Sequence, residues 1–246
     1  MRRPFVCLLR TGDDCAVQLA DRSLLGVGIY TVTDAARITR VPPARIRRWL
    51  RGHEYVYRGE RRSSKPVILG QLPVIEDQVS LGFRDLIELL VIDGFLREGV
   101  KWKLIHAAHQ GARHILCTDH PFCDYRFKTD GRQILLDASE QTGNRELLNV
   151  VTDQYSWRKI VDPYLRASLD FLGNNVALWW PMGRKRRVTI NPARMFGKPT
   201  VTEGVPTATL GRAYAAEHSF AKVAWWYEVA VRSVRDAVAY EQRLAA

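Results

Sequence analysis

Residues 30–52 read YTVTDAARITRVPPARIRRWLRG, and this stretch decides how the N-terminal half of the chain is interpreted. Its first part predicts a short helix, because Thr33 can cap it and the apolar residues that follow recur at helical spacing. The turn 39–41 comes next. Pro42 and Pro43 then fit the first turn of a second helix, where N–H groups have no helical partner. The sequence therefore predicts two helices separated by a tight turn, with Gly52 ending the second.

The second of these helices has an apolar side and a basic side. Ile46, Trp49 and Leu50 are spaced i, i+3 and i+4, as on a helix face packed against a core. The arginines lie off that face. Helix-turn-helix proteins place such a helix in the major groove, where arginine pairs with guanine. We expect Arg45 or Arg48 to reach base edges, although ordinary solvated arginines are the alternative. The predicted DNA-contacting residues of this segment are Arg40, Pro43, Arg45, Arg47, Arg48 and Arg51.

A basic hairpin is predicted directly after Gly52. Residues 54–57 alternate like a strand, the polar stretch RGERRSSK is a turn, and residues 67–69 are the expected return strand. A hairpin in this place reads as the wing of a winged helix-turn-helix. Its cations would bind phosphates, which adds affinity without sequence information; they are Arg58, Arg61, Arg62 and Lys65.

The charge of the chain is strongly positive and clustered. The 246 residues have 37 Lys and Arg against 26 Asp and Glu, a net charge of +11. Residues 30–65 contain 10 basic and 3 acidic residues, and residues 183–202 contain 6 basic residues and no acidic one. Clusters of this kind favour a polyanionic partner, most often nucleic acid. We see no apolar stretch long enough to span a membrane and no signal peptide, so a cytoplasmic protein is expected.

The rest of the chain is predicted to be mainly helical with short hairpins. Two helices are expected from Ser80 to about residue 115, a β-hairpin at 125–136, a strand pair at 176–180 and 184–190, and helices at 207–217, 220–227 and 229–244. The fold class is thus mainly α with short β-hairpins, in the form of an N-terminal winged helix-turn-helix and a C-terminal helical, helix-turn-helix-like domain. The predicted division is a loosely ordered tail at 1–22, the winged domain at 23–137, a helical connector at 138–172 and the C-terminal domain at 173–246.

Two family resemblances rest on particular residues. Tyr30, Ala35-Ala36, Val41 and the ending RRWL, followed by LGFRDLIEL at 81–89 and GVKWKLI at 99–105, resemble the winged helix-turn-helix of MerR-like regulators. The C-terminal segment resembles a small domain, formerly of unknown function, found in VapB-type antitoxins. Its matching residues are Ile190, Gly197-Lys198-Pro199, Val201, Val205-Pro206 and Leu210.

The resemblance to VapB-type antitoxins implies a partner and a mode of regulation. The partner is a PIN-domain ribonuclease toxin, which the antitoxin neutralises, and the regulation is repression of its own operon at operator DNA. That family usually has Gly-Thr-Arg before its Ile/Val-Pro pair, whereas this chain has Thr202-Glu203-Gly204, so no role of that arginine is carried over. Helix-turn-helix proteins usually read two half-sites as dimers, and we expect a homodimer.

A second basic patch lies in the C-terminal half and comprises Arg184, Lys185, Arg186 and Arg187. It is interpreted as a phosphate-contacting strand, as a toxin-docking surface, or as the solvated face of a strand. The sequence alone leaves these three alternatives open.

Neither catalysis nor a bound cofactor is expected. The sequence has no Gly-rich phosphate loop, no nucleophile elbow and no HExxH motif. His114, Cys117, His120 and Cys123 recur at every third residue, which does not match the paired spacing of zinc sites, so we predict free cysteines and structural histidines. The adjacent tryptophans at 179–180 and 225–226 are expected in a core or a dimer interface, with single-stranded nucleic acid as the alternative. Besides the antitoxin, a stand-alone MerR-like regulator with a ligand- or partner-sensing C-terminal domain and a scaffold that binds acidic surfaces are kept as hypotheses.

Overall fold

The computed structural model describes residues 26–74, 78–142 and 168–245. Its helices are α1 (Val32–Thr39), α2 (Pro43–Arg51), α3 (Phe83–Arg97), α4 (Trp102–Leu116), α5 (Tyr125–Thr142), α6 (Thr207–Glu217), α7 (Phe220–Trp226) and α8 (Val231–Ala245). Its strands are β1 (Tyr30–Thr31), β2 (His53–Tyr57), β3 (Glu60–Ser64), β4 (Ser80–Leu81), β5 (Leu169–Leu172), β6 (Asn175–Trp179), β7 (Val188–Ile190) and β8 (Pro199–Val201). The expectation of a mainly helical chain with short antiparallel strand pairs is confirmed. The tail at 1–22 and most of the connector at 138–172 lie outside the described residues.

The first two helices begin and end where local chemistry dictates. Thr31, not Thr33, caps α1: its hydroxyl accepts from the Asp34 N–H at 3.1 Å, and the Asp34 carboxylate accepts from the Thr31 N–H at 3.2 Å. This reciprocal pair satisfies two N–H groups at once. The helix therefore begins two residues earlier than a cap at Thr33 would allow. Arg40 adopts the left-handed conformation (φ 62°) after α1, and Pro42 and Pro43 start α2.

A tight hairpin follows α2 through Gly52. Strands β2 and β3 pair from His53↔Ser64 to Tyr57↔Glu60, with Arg58 and Gly59 as a two-residue turn at positive φ. The predicted return strand at 67–69 is therefore wrong. Val67 and Ile68 are instead buried, and their N–H groups donate to the Trp49 carbonyl at 2.9 and 3.1 Å. The return strand begins earlier than predicted because Arg58 and Gly59 both adopt the left-handed region that such tight turns require.

Helix α3 is buried on almost every side and holds three carboxylates inside the protein. Asp85, Glu88 and Asp93 have exposures of 0%, 0% and 4%. Asp85 accepts from the N–H groups of Gly82 and Gln71 at 2.8 and 3.0 Å, and His120 Nε2 lies 2.8 Å from it. Each contact holds a different segment against α3, so this helix is the central element of the N-terminal half.

Glu88 ties α4 and the following turn to the same helix. Its Oε2 lies 3.1 Å from His109 Nε2, and its Oε1 accepts from the Phe122 N–H at 2.9 Å. Phe122 is fully buried and packs on Phe127 with ring centroids 4.7 Å apart. The polar contacts thus set the position of an aromatic cluster that joins α3, α4 and α5.

The β-hairpin predicted at 125–136 is wrong, because this segment is helix α5. Asp124 follows the turn at 121–123, and its carboxylate accepts from the Arg126 N–H at 2.8 Å. Phe127, Ile134 and Leu135 then fall on one buried helix face. That face outweighs the Thr-Asp-Gly turn signal at 129–131, since packing of an apolar helix stripe overrides local propensity.

A four-stranded antiparallel sheet, in the order β5–β6–β7–β8, leads into the C-terminal helices. Strand β5 was not predicted, and the strand expected at 184–190 begins only at Val188, because residues 181–187 form turns. Helix α6 has the predicted bounds, and α7 and α8 differ from prediction by one or two residues at their ends. Val201, Leu210, Val223 and Val234 form a second buried cluster beside the first.

Two hydrogen bonds connect the segment before α1 to the turn between β7 and β8. The Tyr30 hydroxyl donates to the Gly197 carbonyl at 2.7 Å, and the Ile29 N–H donates to the Phe196 carbonyl at 3.0 Å. Burial, with nearby Tyr240, raises the pKa of Tyr30 well above its ordinary value, so the hydroxyl keeps its proton and its role as donor. Gly197 has φ +80°, and a Cβ there would lie 2.2 Å from the Tyr30 hydroxyl, so only glycine fits this approach.

Across the described residues, no helix combines the length and the apolar character that a membrane crossing requires.

Replacing Asp85 with Ala should lower the free energy of unfolding by about 2–4 kcal/mol, because the N–H groups of Gly82 and Gln71 and the side chain of His120 lose their partner. Equilibrium urea unfolding measures this change. The control is Glu54→Ala, which removes an exposed carboxylate and should change stability by less than about 0.5 kcal/mol. Equal effects of the two substitutions would contradict the role given to Asp85.

Candidate nucleic-acid interface

Helix α2 has one buried, apolar side and one exposed, basic side, as the spacing predicts. Ile46 and Trp49 are fully buried, and Trp49 stacks on Trp102 with centroids 5.5 Å apart and an interplanar angle of 13°. Pro43, Arg47, Arg48 and Arg51 are exposed. Helix α2 therefore presents a row of cations to solvent from a rigid base.

Arg45 has a different environment from the other arginines of α2. Its Nη1 lies 2.9 Å from Oδ1 of Asp93, whose side chain is only 6% exposed, and the same carboxylate binds Arg97 at 2.6 Å. Its guanidinium also lies 5.9 Å from the centre of the Trp49 ring. Arg45 thus fastens α2 to α3. Of the two residues expected to reach base edges, Arg48 has the exposed side chain.

Arg40, in the turn before α2, reaches toward the C-terminal helix. Its Nη2 donates to the carbonyl of Arg243 in α8 at 2.7 Å, and Arg243 in turn donates to the Pro181 carbonyl at 3.0 Å. Arg40 is exposed, but its Nη2 group is used in this hydrogen bond within the protein. The turn between α1 and α2 is consequently joined to α8.

The basic side chains of the hairpin are exposed to solvent. Arg58 occupies the turn, and Arg61, Arg62 and Lys65 are exposed. Arg62 contacts Glu60 at 3.3 Å, an exposed pair of little energetic weight. At the base of the hairpin, a Cβ on Gly52 would lie 2.0 Å from the Ser64 carbonyl oxygen, so this glycine lets β3 pass close to the end of α2.

An open concavity of about 630 Å³ runs along α2 toward the hairpin. Its charged lining comes from α2, and the full lining is Pro42, Ala44, Arg45, Arg47, Arg48, Arg51, Gly52 and His53. Of the described residues that line it, none carries a carboxylate. A concave, cationic surface with donors in planar forks is suited to phosphate and to guanine edges.

The second basic patch lies in the turns between β6 and β7, and its arginines have acidic partners within the chain. Arg184 lies 2.6 Å from Asp170, Arg186 lies 2.8 Å from the buried Asp236, and Arg187 lies 3.6 Å from Glu203. Burial alone would raise the pKa of Asp170, but hydrogen bonds from Arg184 and Trp180 outweigh it and hold that pKa below its usual value. Lys185 is exposed, and its carbonyl accepts from Arg232 at 2.8 Å. The expectation of a strand here is wrong.

The histidines and cysteines at 114–123 have separate environments. His120 contacts Asp85, as described, and the Cys123 thiol is free and buried; burial, with nearby Glu88, raises its pKa. Cys117 is disulfide-bonded, so the expectation of a free cysteine is wrong there. Among the described residues, no group of three or more potential ligands is placed to hold a metal ion.

Sequence reasoning located the cations but missed the carboxylates that engage some of them. Asp93 is the clearest case, because its apolar neighbours on α3 suggested only a core helix. A carboxylate inside a nearly continuous apolar run is itself a signal, since buried acids need partners. The run LIELLVIDGF at 86–95 contains two such acids, Glu88 and Asp93.

Comparison with known proteins finds a relative that carries the name of an antitoxin. The chain matches no protein-family model. A Mycobacterium tuberculosis protein named "Putative antitoxin VapB45" is 27% identical over 230 residues, covering 86% of this chain and 93% of that protein. The crystal structure of Rv2018 from Mycobacterium tuberculosis has a TM-score of 0.68 and 25% identity, over 87% of this chain and 99% of the other. Over most of its length, the chain is a distant homologue of a protein that carries an antitoxin's name.

The contrast between Arg45 and Arg48 can be tested through stability. Arg45→Ala should lower the free energy of unfolding by about 1–2 kcal/mol, because the buried Asp93 loses one of its two cations. Arg48→Ala, a matched substitution one turn later, should change it by less than about 0.5 kcal/mol. Urea titrations of both variants give the comparison, and a loss at Arg48 as large as that at Arg45 would show that the two environments do not differ in this way.

Proposed function

We propose that this protein is the antitoxin of a VapBC-type pair, which binds and neutralises a PIN-domain ribonuclease toxin and represses its own operon. The observation that carries the proposal is the match to the VapB45 relative, which covers 86% of this chain and 93% of that protein. A match of this extent cannot be confined to one half of the chain. It therefore supports a shared role of the whole protein rather than a shared module.

The DNA-binding half of the proposal assigns residues 30–64 to a winged helix-turn-helix. Helix α2 is the recognition helix, with Arg47, Arg48 and Arg51 exposed along it. The hairpin is the wing, and its cations hold phosphates. A homodimer would read two half-sites of an operator. A cytoplasmic location is part of this proposal.

In the toxin-binding half of the proposal, this protein binds the toxin and catalyses no reaction itself. A PIN-type nuclease site is a cluster of carboxylates that holds Mg²⁺. A cationic antitoxin surface is complementary to such a site, because a guanidinium pairs with carboxylates in place of metal. The net charge of +11 favours an acidic partner of this kind.

A stand-alone regulator remains the second candidate, because one cavity favours it. A space of about 260 Å³ lies between α1 and the C-terminal segment, lined among others by Tyr30, Ile38, Pro199, Thr207 and Leu244. A small ligand bound there would touch both halves of the chain. This candidate requires operator affinity that changes with a small ligand and needs no protein partner.

Arg48→Ala should weaken binding to the protein's own upstream region by about 1–3 kcal/mol and relax sequence preference, because a base contact is lost. Arg61→Ala should instead weaken operator and scrambled duplexes equally and reduce the salt slope by about 1. Fluorescence anisotropy on both duplexes at several salt concentrations measures each effect. Wild-type binding by both variants would show that the groove assignment is wrong, and equal wild-type affinity for the two duplexes would favour a scaffold.

Co-expression tests the antitoxin role directly. The product of the adjacent reading frame should arrest growth when expressed alone, co-purify with this protein, and lose its ribonuclease activity in the complex. A catalytically silenced copy of that product, which should still co-purify, controls for selection against the toxin. Absence of both complex and rescue would remove the antitoxin function and leave the regulator as the remaining candidate.

A further inference from the structure

Two tryptophans project from the C-terminal helices into solvent. Trp225 is 78% exposed and Trp226 is 47% exposed, at the end of α7. Val223 and Ala224 anchor the other side of the helix in the second buried cluster. Val231, at the start of α8, is 38% exposed. We call Trp225, Trp226 and Val231 the tryptophan patch. Tryptophan is costly to expose and is enriched among the residues that dominate protein interfaces.

The rim of the tryptophan patch is basic. Lys222, Arg232 and Arg235 are exposed, and Lys222 Nζ lies 4.9 Å from the centre of the Trp226 ring. Glu217 contacts Lys222 at 2.5 Å, Glu203 accepts from the Ser233 hydroxyl at 2.7 Å, Asp236 is buried and bound to Arg186, and Glu228 is exposed. Arg232 and Arg235 are therefore the cations that give the rim its charge. An apolar centre with a cationic rim is complementary to an acidic protein surface that contains an apolar pocket.

The basic rim continues into the second basic patch. Arg232 Nη2 donates to the Lys185 carbonyl at 2.8 Å, and Arg186 contacts Asp236 in the first half of α8. The turns at 183–187 therefore lie beside the start of α8. Lys185 and Arg232 thus extend the rim toward these turns, in which Arg186 and Arg187 are paired with Asp236 and Glu203.

Two other occupants fit this surface less well. A second copy of the chain would bring the same cations together across a symmetric interface, which costs energy. Single-stranded nucleic acid needs aromatic faces along one line. Neighbouring side chains on a helix point about 100° apart, and one face of Trp226 is already covered by Lys222.

We infer that the tryptophan patch and its basic rim are the docking surface for the acidic toxin, an assignment that rests on the proposed function. Trp225 inserts into an apolar pocket of the partner, and the rim arginines face its carboxylates. Arg232, at one end of α8, lies about 16 Å along the helix axis from Arg243, which contacts the turn before α2. A partner on the patch thus leaves the exposed arginines of α2 accessible.

The test compares Trp225→Ala with Leu172→Ala, since Leu172 is 79% exposed and lies outside the patch. The probe is the purified, catalytically silenced product of the adjacent reading frame, measured by titration calorimetry against the full chain. Trp225→Ala should raise the Kd about tenfold or more, and Leu172→Ala should leave it unchanged. Both variants should melt within about 2 °C of wild type, because both side chains are exposed.

A charge reversal tests the rim separately. Arg232→Glu should weaken binding at low salt, and its deficit should shrink as salt is raised, because exposed charges are screened. A deficit that does not depend on salt would overturn the electrostatic part of the assignment.

The outcomes separate this inference from the function on which it rests. If the wild-type chain does not bind the probe, both fail. If wild type binds and Trp225→Ala binds equally well, the docking surface is wrong and the antitoxin function stands. Loss of single-stranded oligonucleotide binding by Trp225→Ala, or conversion of a dimer to a monomer in sedimentation, with toxin affinity intact, would assign the patch to nucleic acid or to self-association instead.

Discussion

Three carboxylates on α3 must be satisfied inside the protein, and much of the N-terminal half is arranged by that requirement. Asp85 binds backbone N–H groups and His120, Glu88 binds the Phe122 N–H and contacts His109, and Asp93 binds arginines of α2 and α3. An unpaired buried charge is costly, so each partner is held in one position. The position of α2 on the surface thus follows from the interior of the protein as well as from its own apolar face.

The sequence predicted the elements whose signals agree with one another. For α2, the proline start, the apolar spacing and the final glycine all point to the same helix, and its exposed and buried faces are as expected. Prediction failed where local and tertiary signals conflict. The Thr-Asp-Gly turn signal at 129–131 lies within α5, whose buried face is completed by contacts with α4 and with the turn at 121–123 that no local pattern reveals.

In the candidate site, the sequence predicts the positions of the charged residues but not how they are paired. Sequence counting finds every arginine but cannot tell which ones already have carboxylate partners. Arg45, Arg184 and Arg186 have such partners, and Arg45 lines the open concavity along α2 together with the exposed Arg47 and Arg48. Those partners lie 14 to 50 residues away along the chain, so only the folded arrangement shows which arginines are paired with carboxylates.

The hydrogen bond from Arg40 to the Arg243 carbonyl joins two parts of the chain that are 203 residues apart. The last carbonyls of a helix have no partner within the helix, so Arg40 acts as the C-terminal cap of α8 while it holds the left-handed turn before α2. Ordering of the last turn of α8 and of the α1–α2 turn is therefore thermodynamically linked. Whatever stabilises one of these turns in its present geometry favours the other by the same factor, because coupling between two sites is reciprocal. The Arg40 guanidinium is thus one physical link through which the α1–α2 turn and the end of α8 stabilise each other.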